Sequence, residues 1–443
     1  MCGMSNSSRG DVDPNDLRSR LRSMTGRNPR ERERSASTLE LLFDLTFVVA
    51  VAQSAAQLAE ALAEGHVGSG IASFCLTSFG IIWAWINYSW FASAYDTDDW
   101  LYRLLTLLQM IGVVVLTLGI PDIFHAAAHG ELDNTVSVTG YVIMRVAMLV
   151  QWGRAHRADG EHRPAIRFYL STLVIAQALW VATIFLQTTG LPLPVLLGVT
   201  ALIALVELTG PFLAERGSGT GTPWHAGHIT ERHGLLTIIT IGEVVTGTVI
   251  TLQNILGSDE QYIDWGDTIL VAVCGTAIAF GFWWAYFIPR FAEVLHHHRR
   301  RSFGFGYSHF LIWPALAAVG GGLHLMALSF EHSEDLHVDH VVAACALAIP
   351  VGVFTVGLFT AHYLTTRFWA GLHTAILASS LVVLAVAVVL AVLNVPLTVV
   401  LALCTLVPWI TVAAFELSTG ADHEARVLAE LPGCEGDDAV PAS

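Results

Sequence analysis

Lysine is absent from the 443 residues: all 22 basic side chains are arginine. Each basic group is therefore a planar guanidinium, and Schiff-base lysine chemistry is excluded. Charge of either sign is scarce, at 13% of residues against 54% hydrophobic. Ordinary soluble domains carry about 25% charged residues, so a soluble enzyme is excluded. The little charge present is unbalanced, with a formal net of -15. That argues against nucleic acid as a partner, because phosphate binding draws on clustered positive charge. Six cysteines are scattered without a CxxC pair. Most fall inside apolar runs and read as small buried hydrophobes, with no disulfide framework or zinc site. No HExxH string is present among the 19 histidines, which removes the usual zinc-hydrolase signature.

What is there is a series of apolar runs of about 20 residues, the length that crosses a bilayer as a helix. Twelve cover approximately 36–61, 71–94, 101–124, 136–156, 166–188, 193–214, 231–253, 267–289, 305–330, 338–361, 368–393 and 395–417. Backbone polar groups in lipid must be paired within their own segment, so these are helices and the chain is an all-α polytopic membrane protein. Eight Arg precede the first run, and Arg154, Arg157, Arg163, Arg167, Arg216, Arg232, Arg290, Arg299, Arg300, Arg301, Arg367 and Arg426 all flank loops of one parity. The opposite loops contain no Arg; the seventh carries Asp259, Glu260 and Asp264, and the ninth runs over 331–339. Positive loops stay inside, so both termini are expected in the cytoplasm. Residues 1–35 lack apolar periodicity and read as a disordered cytoplasmic arm, and 418–443 as an acidic solvated tail.

A shift of 199 residues sets Asp44 on Glu243, Cys75 on Cys274 and Trp85 on Trp284; a shift of 200 sets Gln109 on His309. The first six runs (36–214) then overlie the second six (231–417), the mark of a duplication. Six is even, so the halves would be parallel repeats with a site between them. Ionisable groups within apolar runs are functional candidates. These are Asp44, Arg145, Glu207 and Glu243, with an Asp44–Arg145 pair expected and Glu243 left to His309, His324 or its own proton. The second run ends in Trp83, Trp85, Asn87, Tyr88 and Trp90, followed by Asp96-Thr97-Asp98-Asp99 and Arg103; its counterpart carries Trp284. One reading is an interfacial aromatic belt with a solvated acidic turn. A second is a site where Asp96 and Asp99 hold Mg²⁺ and Arg103 contacts a diphosphate. A third takes Asp-x-Asp-Asp as the string of class II terpene cyclases, with Asp98 as general acid and the aromatic faces stabilising a carbocation.

The stretch Thr38-Leu39-Glu40-Leu41-Leu42-Phe43-Asp44-Leu45-Thr46-Phe47-Val48 resembles the bacterial low temperature requirement A (LtrA) family. So do Trp90-Phe91-Ala92-Ser93-Ala94-Tyr95-Asp96-Thr97-Asp98-Asp99, and His228-Ile229-Thr230-Glu231-Arg232-His233-Gly234-Leu235 leading to Gly242-Glu243. The likeness covers about 36–417; His233 stands where an aromatic is common in the family, and Val244 where a small polar residue is usual. The resemblance implies a multi-pass inner-membrane protein and supplies no family-wide reaction. Two functions are carried forward beside a non-catalytic reading, a structural or regulatory membrane protein that responds to bilayer state. One is a transporter of a small solute or ion, using Asp44, Arg145, Glu243 and His309 with Trp85, Tyr88 and Trp284 nearby. The other is an integral-membrane enzyme on an isoprenoid or lipid substrate, using Asp96, Asp98 and Asp99.

Overall fold

The structure, a computed structural model, describes residues 21–29, 31, 34–217, 219, 221–257, 265–329 and 338–417. The tail at 418–443, the acids of the seventh loop and residues 331–337 of the ninth lie outside the described residues. Among the described residues all regular structure is helical, and twelve helical stretches are long and apolar enough to cross a membrane. Eight in the chain's first part are α1 (Thr38–Ala63), α2 (Val67–Tyr95), α3 (Trp100–Leu118), α4 (Ile120–Ala128), α5 (Thr135–Ala158), α6 (Arg163–Leu186), α7 (Leu193–Gly217) and α8 (Ala226–Gly257). The remainder are α9 (Trp265–Phe287), α10 (Phe291–His297), α11 (Ser302–Leu328), α12 (His340–Thr366), α13 (Gly371–Val392) and α14 (Leu397–Glu416).

Two crossings are broken. The third is α3 plus α4, which restarts with Pro121 in its first turn, and the eighth is α9 plus α10 across Pro289. Proline supplies no N–H to the preceding turn, so it fits the start of a helix and not its interior. Close crossings are set by glycine. A Cβ on Gly140 would stand 2.2 Å from the Leu116 nitrogen, so only glycine lets α5 meet α3 at backbone distance. The run Gly320-Gly321-Gly322 does the same for α11 in three directions. Added Cβ atoms would lie 2.6 Å from the Glu243 carbonyl of α8, 2.8 Å from that of Ala55 in α1, and 2.3 Å from that of Ala346 in α12. This makes α11 the hub of the molecule and the most buried of the crossings.

The expectation of a disordered arm over 1–35 differs from the structure where the latter describes it. Arg34 donates to the carbonyls of Ser93 and Ala92 (2.6 Å to the latter), the Arg27 N–H to that of Ala94 at 3.0 Å, and Met24 is fully buried. The physical reason is that the carbonyls of the last turn of α2 run out of helical N–H donors, Ala92 accepting only the capping Asp96 N–H, and the guanidinium of Arg34 supplies further donors to them.

Candidate functional site

The first residues of α1 are set by a capping box. The Ser37 N–H donates to the Glu40 carboxylate at 2.7 Å, and the Glu40 N–H returns to the Ser37 hydroxyl at 3.3 Å. Glu40 and Asp44, four apart, then share one face of α1. On α8, His228 and Arg232 are also four apart, and the two faces meet. Arg232 donates to Glu40 at 3.2 Å and to Asp44, and the His228 Nε2 lies 3.1 Å from Glu40. The Trp85 indole N–H of α2 donates to Asp44 at 2.7 Å. The guanidinium also stands 5.2 Å from the Trp85 ring centre and 5.5 Å from that of Tyr88, within cation–π range. None of the four ionisable groups is more than 1% exposed.

Two carboxylates face one guanidinium, so the cluster carries one uncompensated negative charge unless a proton resides on it. Two atoms are free to take that proton: Asp44 Oδ2 and His228 Nδ1 lack a hydrogen-bond partner. Burying an unpaired charge is costly, so the proton and the geometry are coupled. Beside this cluster runs an aromatic band: Trp85, His233 and Trp313 contact one another at 5.1–5.2 Å, and His309 lies 4.8 Å from His233. The band separates two small cavities. One, of about 20 Å³, lies towards the arginine-rich end between α2, α6, α7, α8 and α11. The other, also of about 20 Å³, lies deeper between α1, α2, α8 and α11, and Thr240 of its wall is one turn from Glu243.

The other candidates are placed as follows. Arg145 is not with Asp44: it pairs with Glu207 of α7 at 3.2 Å, and Tyr141 and Trp180 donate to the same carboxylate at 2.6 and 2.9 Å. Glu243 is buried, and among the described residues no hydrogen bond or ion pair reaches its carboxyl. His309 is taken by other groups. Its Nδ1 donates to the Phe305 carbonyl at 2.8 Å, which can only accept, so Nε2 receives the Tyr286 hydroxyl at 2.8 Å. Tyr88 lies on the cluster, whereas Trp284 faces α14 and donates to Glu416 at 3.1 Å, away from it.

The acidic string is divided among separate partners. Asp99 caps α3 by accepting the Tyr102 N–H at 2.8 Å and is paired with Arg154 of α5. Burial would raise its carboxyl, but hydrogen bonds from Arg154 and the Tyr102 N–H hold it below the ordinary value. Asp98 is half exposed, at φ 48°, and held by Arg103 through two bonds of 2.8 Å. Asp96 receives the Asp98 N–H at 2.9 Å and lies 3.8 Å from Arg27. These carboxylates are occupied by a helix end and guanidinia, so they do not fit a Mg²⁺ site. Among the described residues no group of three His, Cys, Asp or Glu is placed to hold a metal. An acid for alkene protonation must keep its proton away from water and from a cation, and Asp98 has neither condition.

Sequence reasoning singled out Asp44 and missed Glu40, His228 and Arg232. Their signal was the matched spacing of four in two runs that each hold an acid or base pair. Outside the family likeness Glu40 and His228 are not singled out by the sequence, and Arg232 reads as one of the loop-flanking arginines. Both pairs stand inside stretches that carried the family likeness. No solved structure matches the chain. An uncharacterized protein of Rhizobium meliloti (strain 1021) is 26% identical over 261 residues, which is 57% of this chain and 58% of that relative, less than two thirds of its length. The match to the bacterial low temperature requirement A protein family extends over residues 35–408, and the chain belongs to that family.

Proposed function

We propose that this protein is an inner-membrane transporter of a small solute or ion, with protonation of the Glu40–Asp44–His228–Arg232 cluster coupled to movement between two six-helix halves. The observation that carries the reading is the cluster itself, a buried charge imbalance shared by the first and seventh crossings. Glu243 is the second proton-carrying group, lying just beyond the deeper cavity and free of a fixed cation. The duplication is supported by neighbour order. In the first half α1 lies against α2 and α3, α3 against α5, α5 against α6 and α6 against α7. In the second, α8 lies against α9 and α11, α11 against α12, α12 against α13 and α13 against α14. The arginine distribution supports cytoplasmic termini.

The test is a solute panel on proteoliposomes, read as transport current on a solid-supported membrane at pH 6 and pH 7.5. At least one class of small cation, anion, amino acid or sugar gives a pH-dependent current. Asp44→Asn and Glu243→Gln abolish it and Asp98→Asn leaves it intact. Absence of any Asp44-sensitive current across the panel, or loss only in Asp98→Asn, overturns the reading.

A further inference from the structure

At the turn between α5 and α6 three cations stand together without a carboxylate partner among the described residues. Arg157 lies in the last turn of α5, Arg163 is the first residue of α6 and Arg167 follows one turn later, and all three are exposed. They form one group, because each stands within electrostatic reach of the His156 ring, and the Arg163 Nε donates to the His156 carbonyl at 3.2 Å. That bond uses one of the five N–H donors of a guanidinium. Other arginines at this end are placed differently: Arg154 is tied to Asp99 and Arg103 to Asp98. The acids of the turn do not supply the missing charge. Asp159 is buried, 2.8 Å from the His162 ring, and accepts from the Tyr95 hydroxyl at 3.1 Å, while Glu161 is exposed and joined to none of the three.

The group also tops two apolar flanks. Arg157 continues the exposed stripe of α5 that runs through Val146 and Val150, and Arg163 and Arg167 continue that of α6 through Phe168, Val174 and Ile175. Arg167 is four residues, about 6 Å, into a crossing that starts at Arg163. The guanidinia therefore stand where the lipid-facing surface begins, at the level of headgroup phosphates and not out in bulk water. A soluble anion would gain there from charge alone. An amphiphilic one gains from charge and from the apolar stripes beneath it.

We propose that the α5–α6 turn binds the phosphate of an anionic phospholipid in the leaflet at the arginine-rich end, with the acyl chains along the exposed faces of α5 and α6. Guanidinium donors match phosphate oxygens in pairs, and a negative headgroup relieves the mutual repulsion of three like charges. A zwitterionic phospholipid carries the same phosphate, but its ammonium group returns positive charge to the cluster. The site is separate from the Glu40–Asp44–His228–Arg232 cluster, and lipid binding at equilibrium does not depend on transport.

The experiment is native mass spectrometry of the purified full chain in detergent, titrated with phosphatidylglycerol or with phosphatidylcholine of the same acyl chains. Phosphatidylglycerol binds at least about tenfold more tightly. Arg157→Gln, Arg163→Gln and Arg167→Gln each weaken it about fivefold, the effect of one basic residue beside an anionic headgroup, and the three together remove the preference. Arg103→Gln, Arg300→Gln and Arg367→Gln combined take the same charge from the same end of the molecule and leave the preference in place. Inorganic phosphate, compared with chloride at equal ionic strength, does not displace the lipid. Size-exclusion profiles report folding, and the single variants carry the test if the triple one does not fold. Equal binding of the two lipids, or a preference unchanged in the folded variants, overturns the proposal. So does an equal loss in the control set, which would make the preference a property of net charge. Displacement by inorganic phosphate would assign the turn to a soluble anion and overturn the lipid.

Discussion

Asp96, just past the end of α2, is the acid of the string whose environment most disfavours charge. Burial, then the nearby negative charge of Glu40, push its carboxyl up to about 6 from the usual 3.8, against the opposing pull of Arg34. A carboxyl raised in the folded state binds its proton more tightly there than when unfolded. Its contribution to stability is therefore fullest below pH 4 and is lost as pH rises through 6. Asp96→Asn is expected to stabilise the protein at pH 7.5 by up to about 3 kcal/mol, two units at 1.36 each, and to be neutral at pH 4. Melting curves in detergent at both pH values decide this; an equal difference at the two would remove Asp96 as the cause. The buried Arg145–Glu207 pair follows a different rule. Arg145→Met leaves an uncompensated carboxylate and costs about 3–5 kcal/mol, while adding Glu207→Gln recovers most of it. Denaturant unfolding of the single and double variants checks that ranking. Both residues were visible in the sequence because charge interrupts apolar runs. Their pairing was not, since spacing along the chain does not say which helices face each other, and the Arg232 partner of Asp44 is 188 residues away.

Among the helices, α11 shows how much of the fold is decided by residues with no side chain. Gly320 meets the Glu243 backbone of α8, so Gly320→Ala must move one helix off the other. A loss of about 1–3 kcal/mol is expected, as for other overpacked contacts. Gly242→Ala, with nothing within 4 Å of the added Cβ, is the matched control and is expected to be neutral or slightly stabilising. Thermal melting of the two variants tests the contrast, and equal melting points would overturn the close-contact argument. The twelve crossings themselves were legible because the bilayer demands apolar length, and a periodicity of that scale survives in the linear sequence. The start of the seventh was not: its first turns hold His228 and Arg232, so a hydropathy reading begins at 231 while the helix begins at Ala226. Those turns are polar because they are buried against Glu40 and Asp44 and not against lipid. The same blindness hid the break at Gly119, where the apolar run continues to 124 although the helix stops.

For the whole molecule, transport between two halves requires that their seam open at one end. At the arginine-rich end the seam is held by His225, whose N–H donates to the Ser93 hydroxyl of α2 at 2.9 Å, while its ring Nε2 meets the Glu31 carbonyl at 2.9 Å. The arm segment from residue 21 lies over this same junction, with the Arg22 N–H 3.3 Å from Asp99. Closure there is thus made of hydrogen bonds at the rim, with the charged cluster of Glu40, Asp44, His228 and Arg232 one turn inward. A contact of this length between residues 93 and 225 places their backbones within disulfide reach. Ser93→Cys with His225→Cys, in a chain whose six native cysteines are replaced, is expected to cross-link on mild oxidation. The cross-linked form should lose the Asp44-dependent current, and reductant should restore it. If the oxidised protein carries the same current as the reduced one, this end of the seam does not part during transport. The halves would then act as a fixed frame, and coupling would have to run through side-chain rearrangement at His233 and Trp313 alone.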